Sequence, residues 1–253
     1  MINLSDLRVR IDQMTEKIVS GLKDRSRYLL NEGVFTEKFY EGKTWFEYRL
    51  KREQDLDSEF GRYEFSDQYP LLFEKERLAK PKAERTIAPS DVKAVKIVDV
   101  GDKIIGLYKS MLQELCIKGE DKTTYGETVK CDVNNVLLYS ERTTGIGRLV
   151  AEAKIKECPS ILDCKSDEEI RSKLVNPKRE TEVINNATEI AKRYELDKPE
   201  LIQKFFRGLI DLTVYVEVKY IEGVKRLKES ENNSKTHVGW GWPKENKRKG
   251  TGW

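Results

Sequence analysis

The sequence predicts an all-α protein, a single-domain bundle of long helices. Charged residues form 36% of the chain and hydrophobic residues 38%, which suits well-solvated helices better than a sandwich of sheets. Apolar residues recur at three- and four-residue steps through several segments, which is the period of an α-helix. Residues 92–100 alternate as a strand would, but the sequence offers no second strand with which they could pair.

The strongest apolar stripe predicts a long helix at the start of the chain. Ser5 is a candidate N-cap, and Gly33 can adopt the left-handed conformation that ends many helices. A stripe this regular on a long helix needs other long helices to cover it. Its members are Leu4, Leu7, Ile11, Met14, Ile18, Leu22 and Leu29.

Capping residues and apolar spacing predict the remaining helices. Thr44 and Glu47 have the spacing of a capping box, and Asp132 is a candidate cap of a later helix. Three prolines make residues 64–95 an extended connector. The predicted helices cover about 44–61, 102–115, 132–153, a short segment from 166, 177–194 and 199–224.

The composition changes at residue 229, where the chain becomes polar, glycine-rich and basic and loses its apolar period. We therefore expect a helical domain over 1–228 and a disordered tail over 229–253. The basic run at 244–249 is short, and the net charge of +3 gives no nucleic-acid footprint, so we expect no nucleic-acid partner.

The sequence argues against several kinds of site. His237 is the only histidine, so zinc binding and histidine-based catalysis are not expected, and an enzyme of this sequence must work with Lys, Arg, Asp and Glu. No apolar run approaches the roughly 20 residues that a membrane helix needs, and the N-terminus has no signal-peptide pattern. We expect a cytoplasmic protein without membrane contact.

Several ionisable or polar residues interrupt faces that otherwise look buried. Glu217 lies between Val216 and Val218, and an isolated buried carboxylate is costly unless it is paired or protonated. Each charged member of this set could instead be a salt-bridged surface residue. Taken together, they are compatible with one shared polar pocket. The set comprises Arg8, Lys154, Asn176, Glu180, Thr213 and Glu217.

Residues 106–155 resemble the central block of the fungal and plant chorismate mutases. Three pieces carry the resemblance: the Tyr-Gly pair at 125–126, the Ser-Glu-Arg run at 140–142 and the VAEAK run at 150–154. The first helix and the segment 212–221 resemble the opening and closing helices of that family. The resemblance covers roughly residues 3–225 and implies an all-helical homodimer that rearranges chorismate to prephenate, a step of phenylalanine and tyrosine biosynthesis.

The resemblance also implies roles for particular residues. Arg8 and Arg142 would bind the two substrate carboxylates. Lys154 and Glu217 would face the ether oxygen of the bond that breaks. Such a reaction needs an oriented substrate and donors for developing negative charge, and Glu217 can donate only when it is protonated.

The remaining implied roles concern substrate binding. Asn176 and Thr213 would hold a carboxylate, and Glu180 would hold the ring hydroxyl. The resemblance implies no cofactor and no metal.

One spacing departs from the family pattern. The family has a basic pair eleven residues before the lysine of VAEAK, whereas Thr143 occupies that position here and Arg142 lies twelve residues before Lys154. One more residue turns a helix by about 100°. Arg142 therefore reaches the pocket only if an extra residue is absorbed, and we predict a bulge near 145–147.

The family's effector site for aromatic amino acids is only partly matched. Gly126 and Arg62 agree with the family pattern. Gly61 replaces a basic residue, and Glu127 and Lys130 replace small hydroxyl residues. These changes argue against control by tyrosine or tryptophan.

A second hypothesis is an inactive relative that keeps the fold and acts as an interaction or scaffold protein. Thr143 and Gly145 favour it, because they depart from the family pattern. The retained polar residues argue against it, since a scaffold does not need a carboxylate in an apolar helix face.

Overall fold

The computed structural model describes residues 3–65, 68–71, 78–82, 92–93, 95, 98–196 and 198–236, and this part of the chain is mostly helical. The helices are α1 (Leu4–Arg25), α2 (Gly33–Thr36), α3 (Trp45–Glu59), α4 (Gly101–Leu115), α5 (Tyr125–Ser140), α6 (Gly147–Glu157), α7 (Asp167–Leu174), α8 (Pro177–Arg193) and α9 (Pro199–Thr236). Short 3₁₀ turns lie at 62–64, 122–124 and 159–163, and a π-helical segment spans Glu141–Ile146.

A two-stranded hairpin precedes α3, although the sequence predicted no strand. Strands β1 (Lys38–Tyr40) and β2 (Lys43–Thr44) pair antiparallel. The residues between them, Glu41 and Gly42, have φ angles of 52° and 73°. Two successive left-handed residues form the tight turn that joins two strands, and the spacing of apolar residues does not reveal such a turn.

The capping residues are partly those that the sequence predicted. The Thr44 hydroxyl accepts from the Glu47 amide at 3.2 Å, and the Glu47 carboxylate accepts from the Thr44 amide at 2.9 Å, which confirms the capping box. Asn3, not Ser5, caps α1. Asp132 does not cap a helix either, because it lies in the middle of α5.

Helix α9 connects the packed parts of the bundle. It packs against α4, α6, α7 and α8, while α1 packs against α5 and α8. Val216 belongs to one hydrophobic core with α4 and α5, and Val218 belongs to a second core with α6 and α7. Helix α9 is therefore fixed by both cores, and it lies beside α6 and α8.

Helix α9 continues through Thr236, eight residues beyond the predicted domain boundary at 228. Residues 237–253 of the predicted tail, with His237 and the basic run, lie outside the described residues. Asp197, which has the spacing of a capping box with Glu200 and is a candidate cap of the last helix, also lies outside the described residues. Within the described ranges, no helix has both the length and the apolar character needed to cross a membrane.

A buried ion pair joins α1 to α5. Arg25 Nε lies 2.6 Å from Asp132 Oδ1, and both side chains are 0% exposed. The same carboxylate oxygen accepts from the Tyr108 hydroxyl of α4 at 2.6 Å. Arg25 also donates to the carbonyl oxygens of Leu29 and Leu30. These bonds hold the chain that leaves α1, so α1 ends at Arg25 and not near Gly33 as predicted.

Replacing Asp132 by alanine is expected to destabilise the fold by about 3–5 kcal/mol, because it leaves a buried guanidinium without its counter-ion. Urea unfolding followed by circular dichroism measures the loss. Asp211→Ala is the control, since Asp211 pairs with Arg171 at 2.9 Å on the surface and should cost far less. Equal losses in the two variants would contradict the structural role of the buried pair.

Candidate active site

A cavity of about 470 Å³ opens between α1, α6, α8 and α9. All seven residues for which the sequence implied a role in catalysis or substrate binding line it, although they come from distant parts of the chain. They are Arg8, Arg142, Lys154, Asn176, Glu180, Thr213 and Glu217. Apolar side chains of the same helices complete the wall. The structure therefore brings the predicted pocket together.

The π-helical segment explains how Arg142 reaches this cavity. In a regular helix, a spacing of twelve residues would leave Arg142 and Lys154 about 120° apart around the helix axis. The backbone instead adopts π geometry over 141–146, which absorbs one residue between α5 and α6. The predicted bulge is confirmed, and it begins four residues earlier than its predicted position. Arg142 and Lys154 both line the cavity as a result.

Lys154 and Glu217 lie next to each other in the wall of the cavity. Lys154 Nζ lies 3.6 Å from Glu217 Oε2 and also donates to the carbonyl oxygen of Leu174. The Glu217 side chain is only 6% exposed, and Oε2 has no hydrogen-bond partner among the described residues. Burial raises the pKa of Glu217 to about 7, against the pull of Lys154. Near neutral pH, a large fraction of Glu217 carries a proton and can donate.

Arg142 is a buried cation with unused hydrogen-bonding capacity. It is 4% exposed, and its Nε has no partner in the part of the chain that the structure describes. Its guanidinium carbon lies 5.9 Å from the ring centre of Phe206. Burial lowers the pKa of Arg142 to about 10, so the group stays charged at neutral pH. A buried charge without a counter-ion is unfavourable, and a bound anion would relieve it.

The start of α8 presents two polar groups to the cavity. Asn176 caps the helix, since its Oδ1 accepts from the Arg179 amide at 3.1 Å. That bond leaves the amide NH₂ of Asn176 to act as a donor. Glu180 lies one turn further along, where its backbone amide donates to the carbonyl of Asn176. This end of the cavity therefore offers one donor and one carboxylate acceptor.

Thr213 lies on α9 beside the close approach of α6. Its hydroxyl donates to the Leu209 carbonyl at 2.7 Å. A Cβ at Gly147 would lie 3.2 Å from the Thr213 methyl group, so glycine at 147 lets α6 and α9 approach this closely. Arg8 lies at the other side of the cavity, on an exposed part of α1.

The sequence argument missed Arg179. This residue lines the cavity and forms ion pairs with Asp12 at 2.9 Å and Glu182 at 3.3 Å. Nothing in its charged sequence surroundings distinguishes it from a solvated residue. The cavity wall that the structure describes contains basic side chains at 8, 142, 154, 173 and 179 and acidic ones at 157, 180 and 217. The excess of positive charge suits a small dianion.

The two candidate effector residues lie outside the cavity and far from each other. Arg62 forms ion pairs with Asp57 at 2.9 Å and with Glu141 at 3.3 Å. Glu141 directly follows α5, whereas Gly126 is the second residue of that helix. Fifteen residues at 1.5 Å each separate the two ends by about 22 Å. One chain alone does not bring Arg62 and Gly126 together.

No family model matches the sequence. The chain is 23% identical to the chloroplastic chorismate mutase 3 of Arabidopsis thaliana, with 87% of this chain and 77% of that protein covered. It is 25% identical to the chorismate mutase of Emericella nidulans, with 90% and 93% covered. The solved structure of the Candida albicans chorismate mutase in complex with L-tryptophan has a TM-score of 0.77 at 24% identity, covering 87% of this chain and 90% of that one. The chain therefore shares the fold of these enzymes.

Proposed function

We propose that this protein is a chorismate mutase, which rearranges chorismate to prephenate in aromatic amino acid biosynthesis. The observation that carries the proposal is the convergence of Arg142, Lys154 and Glu217 in one cavity of net positive lining. Chorismate has two carboxylates, a ring hydroxyl and an ether bond that breaks while a carbon–carbon bond forms. The reaction is intramolecular, so the site needs neither a nucleophile nor a co-substrate.

Two arginines, the N-terminal cap of α8 and a hydroxyl group of α9 would bind the substrate. Arg142 can grip a carboxylate with two parallel N–H donors, and Arg8 can bind the second carboxylate. Asn176 donates to a carboxylate through its amide. Thr213 joins it by turning its hydroxyl proton away from Leu209. These contacts hold the flexible substrate in its compact, reactive shape, which removes an entropic part of the barrier.

Glu180 is assigned to the ring hydroxyl of the substrate. Its carboxylate is an acceptor, and it lies one helical turn from Asn176 at the same end of the cavity. A carboxylate that accepts from the hydroxyl fixes the ring while the arginines fix the two anionic ends.

Stabilisation of the transition state is assigned to Lys154 and Glu217. Negative charge builds on the ether oxygen as its bond to carbon breaks. Two donors that are 3.6 Å apart can both contact one oxygen atom between them. Lys154 donates as a cation and Glu217 as a neutral acid. Donors that are already held in place before the reaction stabilise such charge strongly.

The alternative of an inactive scaffold is less well supported. It was favoured by Thr143 and Gly145, and both lie in the π-helical segment that accommodates the extra residue. A scaffold would also gain nothing from buried polar atoms of Arg142 and Glu217 that have no hydrogen-bond partner among the described residues. The family relatives named above are enzymes. The predicted cytoplasmic location stays a prediction, since the Arabidopsis relative is chloroplastic by name.

Turnover of chorismate by the purified protein tests the proposal, with Lys154→Ala as the informative variant. We expect this variant to lose about 10²–10³ in kcat, because one oriented donor is removed. The decline of the ultraviolet absorbance of chorismate measures the rate. Lys156→Ala is the matched control, since Lys156 lies on the same helix but does not line the cavity. A folded, helical wild type without turnover would favour the inactive relative.

Activity is expected to fall as pH rises through about 7, the pKa of Glu217. Below that pH the buried acid keeps the proton that it donates to the ether oxygen, and above it the donor is lost. In the Glu217→Gln variant the glutamine amide donates at every pH. The dependence of its rate on pH should therefore be flatter, with activity at high pH better preserved. Rates measured on both sides of neutrality decide the matter. An identical decline in the glutamine variant would exclude this role for Glu217.

The resemblance implies a homodimer, and we propose that any effector site built from Arg62 and Gly126 lies between two copies of the chain. The separation of these residues within one chain supports that arrangement. We expect a dimer in sedimentation equilibrium.

We also expect little change of rate with tyrosine or tryptophan, because Glu127 adds a negative charge where the pattern has a small hydroxyl residue. A monomer that responds strongly to either amino acid would contradict both expectations.

A further inference from the structure

The residue before Arg142 connects the π-helical segment to two other parts of the bundle. Glu141 is the first residue of that segment. Its carboxylate lies 3.0 Å from an Arg10 nitrogen of α1 and 3.3 Å from an Arg62 nitrogen beyond α3. Arg62 is itself held by Asp57 at 2.9 Å. Glu141 is thus fixed from two directions that do not involve its own helix.

Side chains inside the π-helical segment give its geometry only limited local support. Thr143 is fully buried, and its hydroxyl has no hydrogen-bond partner among the described residues. The Thr144 hydroxyl donates to the carbonyl of Ser140, the residue just before the segment, at 2.7 Å. A buried hydroxyl without a partner is unfavourable. Contacts outside the segment must therefore help to determine where the extra residue is accommodated.

The position of the extra residue decides where Arg142 points. If it is absorbed between Arg142 and Lys154, both side chains face the cavity. If the π turn moved toward the N-terminus, past residue 141, Arg142 would rotate by about 100° away from Lys154. Glu141 would rotate with it and would lose Arg10 and Arg62. The two ion pairs and the cavity-facing Arg142 therefore belong to the same backbone register.

We propose that Glu141 is a positioning residue: by bridging Arg10 and Arg62 it keeps the extra residue on the C-terminal side of Arg142 and so holds Arg142 in the substrate cavity. The proposal rests on the proposed function. Each ion pair is partly exposed and individually weak, but moving the turn breaks both of them together.

A double-mutant cycle tests the proposal. Glu141→Gln is expected to lower kcat/KM about three- to tenfold, the effect of losing two weak pairs. In the Arg142→Ala background the same change should have no further effect, because Glu141 acts only through Arg142. Deletion of Thr143 provides a second background. It places Arg142 eleven residues before Lys154, so Glu141→Gln should be harmless there as well.

Glu222→Gln is the matched control, since Glu222 bridges Lys219 at 3.1 Å and Arg226 at 3.5 Å without lining the cavity. It should keep the wild-type kcat/KM. Thermal unfolding of every variant shows whether it folds, and if the Thr143 deletion does not fold, the Arg142→Ala background still completes the cycle. Full activity of Glu141→Gln, or an equal loss in the Arg142→Ala background, would overturn the proposal. An inactive wild type would instead refute the proposed function.

Discussion

The site depends on one geometric constraint: Arg142 and Lys154 share a nearly continuous helix and must point into the same cavity. In a regular α-helix, their spacing of twelve residues would leave the two side chains about 120° apart around the helix axis. The π-helical segment at 141–146 resolves the conflict by absorbing one residue. Without it, either the buried cation or the lysine beside Glu217 would leave the cavity. The other helices bring their side chains to a wall that already contains this pair.

The buried ionisable groups of the cavity destabilise the protein when it is empty, and they favour the binding of an anionic ligand. Arg142 and Glu217 are buried, and each has a polar atom without a partner among the described residues. Burial shifts the pKa of both groups toward their neutral forms, which is the usual response to a dry environment. A dianion that contacts both groups would satisfy these atoms. Local rules of stability are broken here, as they commonly are at functional sites.

The sequence was most informative where local chemistry acts alone. The capping box of Thr44 and Glu47 was predictable, because it depends only on neighbours three residues apart. Predictions from the sequence were wrong where a residue far away in the chain determines the local structure. Asp132 looks like a helix cap but is the buried counter-ion of Arg25, 107 residues away. The end of α1 was misplaced for the same reason, since Arg25 holds the chain that follows.

The candidate site likewise contains residues that could be predicted from the sequence and one that could not. Its seven residues could be named in advance because the family pattern assigned roles to all of them. Six of them, all except Arg142, also stood out as polar residues in faces that otherwise look buried. Arg179 could not, because an arginine among other charges carries no sign that its side chain faces a cavity. The bulge beside Arg142 was predictable because the spacing of Arg142 from Lys154 exceeds the spacing in the family pattern by one residue. Its exact register was not, since that depends on contacts of Glu141 with α1 and Arg62.

The most direct measurement is a crystal structure with a bound bicyclic ether dicarboxylate, a stable compound shaped like the compact transition state. We predict that Lys154 Nζ and the Glu217 carboxyl both lie about 2.6–3.2 Å from its ether oxygen. We also predict that Arg142 binds one of its carboxylates. An ether oxygen that faces away from Lys154 and Glu217, or an Arg142 turned out of the cavity in the complex, would refute the proposed roles of these residues.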